Sequence, residues 1–154
     1  MRMGVPMVAV SIADRLLSAT REDLARYERL LIFCGEEYRC LSGPNLDALS
    51  SILDQKERLI REIQENSDRH APLWTRIQEG EGDESGMDDL EKAVQGVLKT
   101  VVEIQASEAK IASLAAKRSK EVKKALGTLS RSGKALAAYK PTITYAPRFI
   151  DKKE

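Results

Sequence analysis

The sequence predicts an all-α fold: an antiparallel helical hairpin plus a long C-terminal helix, arranged as a three-helix bundle or coiled-coil-like pack, with an extended C-terminal tail. Three observations predict it. Aromatics are only 5% of the 154 residues while Ala, Leu, Glu, Lys and Arg abound, which suits amphipathic helices rather than a sandwich or barrel. Apolar residues recur at alternating steps of three and four. Breakers gather at Gly43-Pro44, among Gly80, Gly82 and Gly86, and at Pro141, which divides the chain into three helical stretches. The length suits a single domain over 1–154, since two would each be short of core. Frequent Leu, Val and Ile exclude wholesale disorder, and nine Gly with five Pro exclude a collagenous chain.

The first helix is expected over about 12–42. Ser11 with Asp14, and Thr20 with Asp23, each resemble a capping box with Asp in place of Glu. The uncharged run Gly4 to Ala13 is too short for the ~20 residues a spanning helix needs. With Arg2 and Ser11-Ile12-Ala13 it has the look of a signal peptide, but it falls below the usual ~15–30 residues, so a frayed arm is expected. Leu24, Tyr27, Leu31, Cys34, Tyr38 and Leu41 form a heptad seam. Gly43 in a left-handed cap, followed by Pro44, ends the helix. Cys34 and Cys40 project about 120° apart around it and cannot pair within it. Two free thiols suit a reducing cytoplasm.

A second helix is expected over about 45–71, with Asn45 as its N-cap. Leu46, Leu49, Ile52, Leu53, Leu59, Ile60 and Ile63 supply its apolar face, and Gln55-Lys56-Glu57-Arg58 reads as a solvated turn. The short connection makes the first two helices an antiparallel hairpin. Pro72 kinks the helix or begins a new turn, and Leu73, Trp74 and Ile77 form an apolar cap at one end of the bundle. Residues 79–91 carry seven acids and no base among Glu79, Glu81, Asp83, Glu84, Asp88, Asp89 and Glu91, and 79–88 reads as an acidic loop. Its spacing is not that of an EF-hand.

The third helix is expected over about 89–139, with a 4–3 seam from Leu90 through Val97, Ile104, Glu108, Ile111 and Arg118 to Tyr139. Such a helix is about 75 Å long at ~1.5 Å per residue, against about 45 Å for each arm of the hairpin. Roughly 15–20 residues must therefore overhang, fold back or meet another chain. The overhang is a candidate partner surface, or the seam of a homodimer. Residues 140–154 leave the helix at Pro141 as an extended tail.

Net charge is only +1, but twelve bases lie from Lys110 to Lys153 against Glu121 and Asp151 within that span. The stripe is read as a surface for nucleic acid or for an acidic partner, or as a solvated face partly paired with the acidic loop. No helix-turn-helix, zinc-finger or RRM pattern accompanies it. Nothing points to catalysis: P-loop, GxSxG, HExxH and GxGxxG patterns are all missing. His70 reads as a helix-end residue, and Glu36-Glu37 as a solvated pair. No enzyme activity, cofactor, small-molecule substrate or metal is expected; one His and two Cys do not make a four-ligand zinc site.

The stretch from Tyr27-Glu-Arg-Leu-Leu to Leu41-Ser-Gly-Pro-Asn-Leu-Asp-Ala-Leu, continuing to Lys56-Glu57-Arg58-Leu59-Ile60, resembles the first two helices of FlgN-type flagellar export chaperones. Gly43-Pro44-Asn45-Leu46 stands at the family's turn, and Lys56-Glu57 follows at the expected distance. The last helix, with Ile104-Gln105 and Tyr139, is similar to the family's C-terminal helix, so the likeness spans about 20–139. Two departures stand out: Glu103 to Ala109 lacks the Asn residues often found there, and the tail runs beyond the family pattern.

The resemblance implies a cytoplasmic chaperone. Such a protein holds the C-terminal segments of hook–filament junction (hook-associated) proteins and delivers them to the export gate of the flagellar type III apparatus. On that reading Val101, Ile104, Ile111, Leu114 and Val122 form the client face, and Tyr139 docks on the gate. The alternatives are a structural dimeric coiled coil without a client, or a nucleic-acid-binding helical protein.

Overall fold

The computed structural model describes residues 11–81 and 86–127. Four helices follow in order: α1 (Ile12–Ser42), α2 (Leu49–Gln78), α3 (Met87–Lys117) and α4 (Ser119–Leu126). The fold class is all-α, as the sequence predicts.

α1 starts where its cap predicts. Ser11 is extended, and its Oγ accepts the Asp14 backbone N–H at 3.0 Å. Thr20, the other candidate start, is a buried residue within the helix. The α1 terminus departs from expectation: Gly43 is extended (φ −95°) rather than left-handed. Asn45 does not cap α2 either. Its Oδ1 accepts the Asp47 N–H at 2.7 Å, an Asx turn within the connection, and α2 begins three residues further on, after Ala48.

α2 runs through Pro72 to Gln78, past its expected end near 71. A proline inside a helix costs about 3 kcal/mol through its missing N–H and ring clash. Continuing brings Leu73, Trp74 and Ile77 against Ala13, Leu16, Leu90 and Val94, a separate apolar cluster at one end of the bundle. Burying three large side chains offsets a loss of that size.

α3 begins beside α1's first turn, where a Cβ on Gly86 would lie 3.2 Å from Asp14 Oδ1. It ends where Arg118 reaches the α1–α2 connection. α3 therefore runs parallel to α1, with α2 antiparallel between them in sequence. α1 packs along both partners, most extensively along α3, while the backbones of α2 and α3 stay apart over most of their length. A Cβ on Gly96 would sit 3.5 Å from Leu24, an ordinary contact between α3 and α1.

The long third helix is not continuous. It breaks at Arg118 (φ −111°, ψ 31°), and α4 ends at Gly127, whose φ of +73° favours glycine. Arg118, expected in the helical seam, instead donates from Nη1 to the Leu41 carbonyl at 2.7 Å and to the Gly43 carbonyl. These carbonyls lie at the C-terminal end of α1, where a guanidinium is favoured. α4 lies against α2, and its Val122 and Leu126 join the main core with Leu41, Leu46, Leu49 and Leu53. Of the three fates open to a helix longer than its hairpin, the described part turns onto the bundle. Residues 128–139 and the tail 140–154 lie outside the described residues.

Candidate functional site

The core is built on heptads, but α1 is rotated from its expected seam. Tyr27, Cys34 and Leu41 point inward, as predicted. The intervening positions are Asp23, Leu30 and Glu37 rather than Leu24, Leu31 and Tyr38. Leu24 and Leu31 flank the core, and Tyr38 is 42% exposed. Two carboxylates thus enter the interior, and each meets a polar partner on α2.

The first centre joins all three long helices. Lys56 Nζ on α2 lies 2.6 Å from Glu37 Oε1 on α1 and 3.3 Å from Glu108 Oε2 on α3. Lys56 and Glu37 are 1% and 0% exposed, and Glu108 is 6% exposed. Neither the solvated turn expected at Gln55–Arg58 nor the solvated pair expected at Glu36–Glu37 is found, because each stretch sends one charge inward. Burial works to discharge Lys56, but Glu37, then Cys34 and Glu108, outweigh it and raise its pKa. Burial raises the pKa of Glu108 despite the pull of Lys56. Two carboxylates share one ammonium, and Glu37 Oε2 accepts no hydrogen bond. Cys34 lies against this centre, its thiol pushed up to about 11, mainly by burial. A thiol so protonated is a small core residue rather than a nucleophile.

The second centre lies further down the bundle. Asn66 Nδ2 donates to Asp23 Oδ1 at 2.9 Å and to the Ala19 carbonyl at 3.2 Å. Arg26 donates to the same Asp23 oxygen at 3.0 Å and reaches Glu62 at 3.6 Å. Burial raises the pKa of Asp23, partly opposed by Asn66 and Arg26. His70, expected at a helix end, is inside α2, where its Nδ1 meets the Asn66 carbonyl at 2.8 Å. Among the described residues no cluster of three His, Cys, Asp or Glu could hold a metal ion. Cys34 and Cys40 are both free.

The five residues expected on the client face do not form an open stripe. Val101, Ile104, Ile111 and Val122 are buried in the main core, and Leu114 is partly buried against it. Their seam packs on the chain's own hairpin and on α4. Tyr139 lies outside the described residues.

Sequence reading missed exposed small and polar positions beside the core on α2 and α3. Ser67 stands one turn beyond Ile63 on the same side of α2, and Ala71 one turn further, yet both are exposed. On α3, Gln105 and Ala112 stand one turn beyond the buried Val101 and Glu108, and they too are exposed. Small and polar residues thus open onto solvent just above the core.

No described helix is long and apolar enough to cross a membrane. Neither the curated proteins nor the solved structures contain a match to this chain. A family model described as FlgN protein matches residues 7–148, nearly the whole sequence. The chain therefore belongs to the FlgN family of flagellar export chaperones.

Proposed function

We propose that this chain is a cytoplasmic, non-enzymatic chaperone for hook–filament junction proteins. It holds their C-terminal segments and delivers them to the export gate. The observation that carries the client-binding reading is the match to the FlgN family over residues 7–148. A helix-prone segment, disordered when free, gains most by laying its apolar side along a groove between two helices. Ser67 and Ala71 on α2 and Gln105 and Ala112 on α3 are exposed and small or polar, and leave room for it beside the core. Val101, Ile104 and Ile111 belong to that core, with Leu114 and Val122 toward α4. Tyr139 supplies the gate contact.

The test uses the full chain with the C-terminal segments of junction proteins from the same cell. Ala71→Glu and Ala112→Glu put charges at exposed positions on α2 and α3, so folding is retained. Binding that falls at least tenfold in both supports the reading, and binding equal to that of the parent overturns these surfaces. Gate binding unchanged in Tyr139→Ala removes the docking role of that residue.

A further inference from the structure

The described acids of 79–91 and the described bases of 110–127 do not meet. α3 begins in the acidic stretch and ends in the basic one, so its 31 residues hold them about 46 Å apart at ~1.5 Å per residue. Physiological salt screens exposed charges beyond roughly 8 Å. The described bases are therefore not paired with the acidic loop, as one reading of the sequence expected. The described bundle is a rod with Glu79, Glu81 (paired with Arg76 at 2.9 Å), Asp88, Asp89 and Glu91 at one end, and the lysines around α4 at the other.

The basic end has a defined face. Val122 and Leu126 hold α4 to the core, so Lys120 and Lys124, one turn apart, project away from the bundle, with Lys123 beside them. Lys117 precedes them at the end of α3, and all four are exposed. None of the four makes an ion pair or hydrogen bond with the described residues. Glu121, the single acid of α4, lies 3.8 Å from Arg118.

The kind of cation matters. Arg118 is the sole arginine between 110 and 127, and its guanidinium is turned inward to the α1 carbonyls. What remains for a partner is a set of lysine ammoniums. They are compact, strongly hydrated point charges without the fork that reads a particular carboxylate or phosphate. No aromatic residue stands among them to stack on a base. Such an array fits a diffuse anionic plane better than a nucleic acid or a shaped acidic epitope.

We propose that the basic end docks on an anionic lipid surface with the rod end-on. The acidic end, repelled by the same surface, points away and sets the orientation. This inference stands on charge placement and does not depend on the client reading.

The experiment is co-sedimentation of the full chain with vesicles of phosphatidylglycerol and phosphatidylcholine in equal parts, and with phosphatidylcholine alone. Binding to the anionic vesicles only, falling steeply with added salt, is the expected result. The quadruple variant Lys117→Gln, Lys120→Gln, Lys123→Gln, Lys124→Gln should lose up to roughly a thousandfold in partitioning, given ~1 kcal/mol per lysine near such a surface. The four lysines are exposed, so its circular dichroism and urea midpoint should match the parent. The corresponding quadruple Arg variant should bind. Equal binding to neutral vesicles overturns the proposal, as does undiminished binding of the Gln variant. So does a preference for polyuridylate or polyglutamate over anionic vesicles, which would assign the face to nucleic acid or an acidic protein.

Discussion

The two buried polar centres begin from the same element, a carboxylate at an inward heptad position of α1, and resolve it differently. Asp23 is met by the neutral amide of Asn66 and by Arg26, whose side chain is 26% exposed, so the charge drains toward solvent. Glu37 is sealed, and its counter-charge Lys56 is sealed with it, under a second carboxylate from α3. The Asp23 centre fixes one pair of helices to one another. The Glu37 centre sets the register of three at once, because no single sliding motion keeps both carboxylates on Nζ. A buried ion group is seldom worth more than an apolar replacement of its volume, but it is costly to break by halves.

That contrast can be broken in order of expected effect. Lys56→Met leaves two buried carboxylates without a cation and should cost about 3–5 kcal/mol in urea unfolding. Glu37→Leu, Lys56→Met and Glu108→Leu together should restore stability to the parent's value or above it. A triple variant as weak as the single one would refute the account of the sealed centre. Asn66→Ala removes one neutral donor from Asp23 and should cost about 1–3 kcal/mol, less than Lys56→Met, because Arg26 and water remain. Arg118→Ala releases the α1 carbonyls and should cost about 1.5–3 kcal/mol at most, with α4 gaining proteolytic sensitivity first.

pH gives a gentler probe. Burial raises the folded pKa of Glu108 above 4.5 and that of Asp23 above 3.8. Between each unfolded value and the raised one, the folded state binds more protons. These groups therefore favour folding more as pH falls through their raised values, and the gain levels off below 4.5 and 3.8. Lys56 works at the other extreme: its raised pKa gives stability that is present below 10.5 and is lost as pH rises through the higher value. Urea midpoints across mildly acidic to neutral pH should rise toward acid in the parent, and less so in Glu108→Gln. The smallest effect concerns the thiols. A maleimide should label the half-buried Cys40 in native protein and reach Cys34 only on unfolding, read by mass spectrometry.

Much of the bundle was legible because its determinants are local. The Ser11 cap, the break at Gly43-Pro44 and the apolar rows of α2 and α3 lie within a turn or two of the residues they act on. What escaped depends on partners far away in sequence. Reading α1 alone favours Leu31 and Tyr38 over Leu30 and Glu37. Only Lys56, 19 residues on, and Glu108 on another helix make an inward Glu37 tolerable. Pro72 looked like a terminus because its cost is local, whereas the packing of Trp74 and Ile77 that carries α2 past it is tertiary. Arg118 fitted the 4–3 period, and its bond to a carbonyl 77 residues earlier was invisible there. The stripe of α3 that carries Val101, Ile104 and Ile111 packs into the core, a fate set by α1 and α2 rather than by α3 alone.

The parallel pairing of α1 with α3 has a consequence for the order of events during synthesis. A hairpin of neighbouring helices can close as soon as its second arm emerges, but α1's most extensive partner is one helix further along the chain. Contacts of such sequence separation carry a loop-closure cost that slows folding relative to simple hairpin bundles. Until α3 is made, the α1–α2 hairpin displays Leu16, Leu30 and the unshielded Glu37–Lys56 pair to solvent. Arg118, reaching back to Leu41, is among the last contacts to form, and so the bundle closes only after nearly four-fifths of the 154 residues have left the ribosome.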